Sequence, residues 1–80
     1  MKLSDSSKYS AHNKTQLLGA QTAACYYCMK TFSTQDILEY IKAGDTALCP
    51  ECGVDAVLAD NLGFDLSPEG LFKLNKYWFG

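Results

Sequence analysis

Apolar residues in this chain come in short bursts separated by turn formers, and the bursts predict three helices around two cysteine turns. The best-marked helix follows Phe32. Ser33 or Thr34 offers an N-cap, Asp36 sits near the positive end of the helix dipole, and Ile37, Leu38, Tyr40 and Ile41 recur at i, i+1, i+3, i+4 until Gly44 stops the run. A last helix opens at Ser67-Pro68-Glu69, with Ser67 as cap, Pro68 at the first helical position and Leu66 able to staple onto Leu71. Leu71, Leu74 and Trp78 line its apolar face, Phe72 and Phe79 widen it, and Lys73, Asn75 and Lys76 mark the wet side. A shorter helix is expected over about residues 8–19, packing Leu17 and Leu18. Asp45-Thr46 is a turn leading into an extended Ala47-Leu48, and Asn61-Leu62-Gly63 is a loop. Val54, Ala56, Val57 and Leu58 are too few for the period to separate strand from helix.

Residues 1–10 are polar and serine-rich and are expected to be flexible, leaving residues 11–80 as a single domain. A chain of 80 residues sits near the size where a hydrophobic core alone is marginal, so a staple is expected. No apolar run approaches the roughly 18 residues that cross a bilayer. The expected chain is soluble and cytoplasmic, with no membrane partner.

The four cysteines supply the candidate staple. They read Cys25-x2-Cys28-x20-Cys49-x2-Cys52, at the long edge of the spacing of a four-thiolate zinc centre. Two cysteines separated by two residues wrap a tight turn whose sulfurs converge on one ion while backbone N–H groups point at the thiolates. Gly53 directly after Cys52 can take the positive φ that such a turn needs, and Met29 stands in the same place after Cys28, making the first turn the less ideal one. A thioredoxin-type redox pair needs one Cys-x-x-Cys in a βαβ context, and a disulfide framework needs a secretory lead that the polar first 16 residues do not resemble. Thr22-Ala23-Ala24-Cys25 superficially matches a lipoprotein cleavage site, but Gln21 and the long polar lead break the required apolar stretch. The expected fold is therefore a small α+β zinc-stapled domain, two zinc knuckles of zinc-ribbon or treble-clef-like kind with two or three short helices, holding one structural Zn2+ through Cys25, Cys28, Cys49 and Cys52.

Charge is segregated. Residues 1–30 carry four lysines against Asp5, a net +3, whereas residues 31–69 carry eight acids against Lys42, a net −7; Lys73 and Lys76 close the chain. A tetrathiolate zinc site adds two further negative charges. The chain contains no arginine, which removes bidentate recognition of phosphate or guanine.

Catalytic readings are weak. Four thiolates close the zinc shell and leave no bound water to activate. A zinc deaminase needs His-x-Glu and Pro-Cys-x-x-Cys, but Asn13-Lys14 follow His12 and Leu48 precedes Cys49. An HNH-type nuclease shares the cysteine frame but needs a histidine near the metal-binding helix, and His12 lies before the first turn. His12 reads as an exposed or capping side chain rather than a base or a ligand. Asp55, Asp60 and Asp65 match no calcium loop and read as a solvated acidic face.

What remains is surface. Tyr26 and Tyr27 sit at the tip of the first turn and Tyr77, Trp78 and Phe79 crowd the carboxyl end; most should close a small core, with one or two left as anchors for a partner. The expected function is a non-catalytic interaction module, adaptor or inhibitor, binding another, basic protein through Asp36, Glu39 and this aromatic rim, with self-association also compatible. The alternative is a zinc ribbon that binds nucleic acid through its lysine-bearing ends, and the third a remnant of a nuclease-like finger.

Cys25-Tyr26-Tyr27-Cys28, Phe32, Ile37, Thr46-Ala47-Leu48-Cys49-Pro50, Cys52-Gly53-Val54-Asp55 and Tyr77-Trp78-Phe79 together resemble a family of short uncharacterised bacterial cytoplasmic zinc-finger proteins. Their cores read approximately C-[FY]-Y-C, an acidic helix, T-A-x-C-P-x-C-G-[IV]-D-x-V and a terminal Y-W-F. Ala11-His12-Asn13 fits the helix that precedes their first knuckle. Tyr40 departs from a usual tryptophan and Ala56 from a usual serine. The resemblance covers roughly residues 11–79 and implies zinc and a bacterial cytoplasmic setting. It implies no mechanism.

Overall fold

The chain closes around Thr22–Cys25 (β1), in a computed structural model that describes residues 2–80. Ala23, Ala24 and Cys25 are fully buried, and small side chains there let neighbours close over both faces. Thr31–Ser33 (β2) pairs antiparallel on one side, with Ala23 opposite Phe32, and Val57–Ala59 (β5) on the other, with Ala24 opposite Leu58. The sheet order is therefore β2-β1-β5. All three residues of β5 are buried, so the segment left open by its period is a core strand at its end. A second, two-stranded sheet joins Tyr40–Ile41 (β3) to Thr46–Ala47 (β4), with Tyr40 opposite Ala47.

Three helices cover these strands: Ser6–Tyr9 (α1), Lys14–Leu18 (α2) and Pro68–Phe79 (α3). The molecule is a small α+β fold. α3 begins as its sequence predicts, with Ser67 Oγ accepting the Gly70 N–H at 3.2 Å and Pro68 leading the first turn. It buries Gly70, Leu71 and Leu74, whereas Phe72 and Phe79, expected to widen that face, stay about half exposed. With Leu17, Phe32, Ile37, Val57 and Leu58, these leucines make the core.

Residues 33–43 are not the predicted helix. Ser33 Oγ does cap, accepting the Gln35 N–H at 3.2 Å, but only a single 3-10 turn, Thr34–Asp36, follows before Ile37 becomes extended. A short run rich in isoleucine and tyrosine gains more from pairing with β4 than from two helical turns, and tertiary pairing overrides the local period. Ile37 points inward, Leu38 outward, and the Glu39 carbonyl accepts the Leu48 N–H at 3.0 Å. Gly44 serves a turn instead, following Lys42 and Ala43 with all three at positive φ.

The expected helix over residues 8–19 is broken in two, because His12 takes a left-handed φ of 50° and Asn13 turns its side chain inward. The Asn13 amide donates to the Val57 carbonyl at 2.8 Å and accepts the Ala47 N–H at 3.1 Å, tying the two sheets together. Leu17 is buried and Leu18 exposed. Within the amino-terminal lead a 3-10 turn, Leu3–Asp5, runs into α1. Ser6 is fully buried there, its hydroxyl donating to the Leu3 carbonyl and accepting the Trp78 indole N–H, both at 2.6 Å.

Candidate metal centre

The two Cys-x-x-Cys segments fold as the same turn made twice. In the first, Met29 N–H donates to the Cys25 carbonyl at 2.8 Å and Cys25 N–H to that of Lys30 at 3.0 Å; in the second, Gly53 donates to Cys49 at 2.9 Å and Cys49 to Val54 at 3.0 Å. In each, the N–H two residues on points at the first sulfur, from Tyr27 to Cys25 at 3.4 Å and from Glu51 to Cys49 at 3.3 Å. The residue after the second cysteine is left-handed in both, Met29 at φ 64° and Gly53 at φ 80°. One turn connects β1 to β2 and the other β4 to β5. Pairing of β1 with β5 sets Cys25 opposite Val57 and so brings the turns face to face.

All four sulfurs lie within 4.8 Å of one another and form a cluster able to hold a metal ion. Cys25 and Cys52 are 3.7 Å apart, as are Cys28 and Cys49, far beyond a sulfur–sulfur bond. An ion with metal–sulfur bonds of about 2.3 Å in a tetrahedron needs sulfur–sulfur edges of about 3.8 Å. The Cys25–Cys52 and Cys28–Cys49 edges match that length.

The four cysteines are unequal in exposure. Cys25 and Cys49 are buried, Cys28 half-buried and Cys52 exposed. Burial pushes the Cys25 and Cys28 thiols up, against the pull of backbone N–H groups. Burial also acts on Cys49, but the N–H groups of Cys52 and Glu51 and the neighbouring Cys52 and Cys28 thiols outweigh it, holding Cys49 below its ordinary range. Lys30 and Glu51 span the two turns at 3.9 Å, though both are half or more exposed, so the pair is worth little.

Sequence reasoning missed the residue that ties this centre to the rest of the molecule. The Asn75 amide, placed on the wet side of α3, donates to the carbonyls of Tyr26 and Tyr27 at 3.1 and 2.9 Å and clamps the first turn to the helix. Its only signal is its place beside Leu74, at the border of the apolar face.

The expected rim is divided by the structure. Tyr26 is buried, its hydroxyl 3.0 Å from that of Ser10, and belongs to the core. Tyr27 is exposed and meets Phe79 edge-on at 4.8 Å, while Tyr77 meets Trp78 at 4.9 Å. Asp36 and Glu39 are exposed.

The other candidate groups disperse. The His12 Nδ1 lies 2.9 Å from the Asp45 carboxylate, away from the sulfurs. Asp55 pairs with Lys42 at 3.7 Å, Asp60 accepts the Thr22 hydroxyl at 2.7 Å, and Asp65 accepts the Ser67 N–H at 3.0 Å, three separate duties. A cleft of about 440 Å³ between Leu17, Ala20, Ser33 and Tyr40 is lined by no carboxylate, histidine or cysteine. No helix among the described residues is long and apolar enough to cross a membrane. No protein-family model, curated protein or solved structure matches this chain.

Proposed function

We propose that Cys25, Cys28, Cys49 and Cys52 hold one structural Zn2+ and that the domain they staple is a non-catalytic protein-interaction module. The observation that carries the reading is the convergence of four sulfurs on two matched turns beside exposed aromatic rings. Zinc suits a four-sulfur tetrahedron without redox demands, and four thiolates leave no position for a water to be activated. The turns are zinc knuckles of the ribbon kind: the second leads into β5, whereas a treble clef would place its last cysteines at a helix start. Unpaired thiols suit a reducing compartment, so we place the protein in the cytoplasm.

The interaction surface is the rim of Tyr27, Tyr77, Trp78 and Phe79, with Asp36 and Glu39 as its acidic complement to a basic partner. Rigid aromatic anchors on a clamped turn and a helix end lose little side-chain entropy on binding. Lys76, 5.7 Å from the exposed Phe72 ring, supports the second reading, stacking on single-stranded nucleic acid; the net charge of −2, deepened by the thiolates, opposes it. Affinity capture with zinc-loaded bait tests the main reading. An identified protein partner should be lost when the bait carries Tyr27→Ser and Phe79→Ser, and undiminished capture by that folded variant contradicts the proposed rim. A gel shift at low salt favours the second reading.

A further inference from the structure

Leu38 is the most exposed large apolar side chain among the described residues, at 86 %. It is not a loose tip. Ile37 beside it is buried, and the Glu39 carbonyl on its other side is bonded to the Leu48 N–H at 3.0 Å, so the backbone is pinned at both flanks. A leucine on so fixed a segment leaves its apolar surface in water with no neighbour covering it.

This leucine borders a groove of about 240 Å³ walled by Leu38, Glu39, Leu48, Pro50, Gly53 and two of the clustered cysteines, Cys49 and Cys52. No lysine lines it. Asp36 and Glu39, on either side of Leu38, make no ion pair among the described residues, whereas the neighbouring acids Asp45, Glu51 and Asp55 each face His12, Lys30 or Lys42. Loaded with Zn2+, the four-thiolate cluster adds a net −2 behind two of the groove's walls. The groove is thus apolar on its Leu38, Leu48 and Pro50 side and carries the Glu39 carboxylate and two of the clustered cysteines elsewhere.

From this complementarity we infer that the groove docks a short basic segment of a partner protein, an extended stretch in which lysine or arginine adjoins an aliphatic residue. The inference rests on the interaction-module reading and locates its basic partner. The volume accommodates one or two side chains, which fits a short linear segment. The aliphatic side chain packs against Leu38, Leu48 and Pro50, and the cation meets Glu39 and the field of the thiolates. Nucleic acid and acidic peptides meet like charge there, and an uncharged apolar group leaves Glu39 unpaired. Because Cys49 and Cys52 form part of the wall, the docked segment covers the exposed corner of the metal centre.

Fluorescence anisotropy on the zinc-loaded full chain tests the inference, using a labelled peptide of alternating lysine and leucine and a control in which glutamate replaces lysine. The lysine peptide should bind in the micromolar range and weaken by about tenfold between ~50 and ~200 mM salt. Leu38→Ser and Glu39→Lys, both at exposed positions and checked for retained zinc, should each weaken it by about fivefold or more, and Leu18→Ser, an equally exposed leucine outside the groove, should leave it unchanged. Equal binding of the glutamate peptide, wild-type affinity in both groove variants, or loss in Leu18→Ser overturns the groove. A partner still captured through Tyr27 and Phe79 would then leave the module reading standing, so the two failures are separable.

Discussion

Gly53 and Met29 occupy equivalent left-handed positions, one in each cysteine turn, and only glycine does so without a Cβ penalty. A Cβ at Gly53 would meet nothing within 4 Å, so Gly53→Ala isolates the backbone cost, about 1 kcal/mol after allowing for the less flexible unfolded chain. Met29→Gly should act in the opposite sense by about 0.5 kcal/mol, the relief of strain being partly offset by unfolded-state entropy. Urea unfolding of the zinc-loaded variants measures both, and a neutral Gly53→Ala would contradict the left-handed turn. Asn13→Ala removes one side chain but strands the Val57 carbonyl and the Ala47 N–H, both buried, and should cost about 3 kcal/mol in the same assay. At this scale the sequence is legible where chemistry is local. The cysteine spacing and Gly53 announce themselves, whereas Asn13 bonds to backbone 34 and 44 residues away and Asn75 to backbone 48 and 49 residues away, and neither leaves a local pattern.

Among the elements, α3 was readable because its determinants lie within a few residues of each other, the Ser67 cap, Pro68 and the leucine spacing. The segment 33–43 was not, because Ile37, Leu38, Tyr40 and Ile41 fit a helical period and a strand equally well over so short a run, and the decision came from β4. Gly70 shows a further constraint on α3 that no period reveals: a methyl group there would overlap the Asp65 backbone carbonyl. Gly70→Ala, normally favourable inside a helix, should therefore destabilise by about 1–3 kcal/mol. Asp65 adds a pH dependence at the same end. Its bonds to the Ser67 hydroxyl and N–H hold its carboxyl below the usual 3.8. Since the folded pKa is the lower one, the stabilisation is complete above the unfolded value and fades as pH falls through the folded one. Thermal melts should thus separate wild type from Asp65→Asn at neutral pH and converge in strong acid; a gap that persists there contradicts the linkage.

As a whole, the molecule joins a two-stranded and a three-stranded sheet through Asn13 at one place and through the cysteine cluster at another. The α+β class and the four-cysteine site were legible from spacing and size. The amino-terminal packing was not, because Ser6 and Ser10 are buried as hydrogen-bonding partners of Trp78 and Tyr26, a use that polar composition conceals. With short strands and a small core in an 80-residue chain, a metal held as proposed by the cysteine cluster would be the main source of cohesion, its binding free energy acting as folding free energy. Titrating Zn2+ into the reduced apo chain, with far-ultraviolet circular dichroism and Trp78 fluorescence read together, tests this directly. Both signals should move from unfolded to folded values and break at one equivalent of zinc per chain; a chain already folded without metal, or a break at any other ratio, would contradict the account.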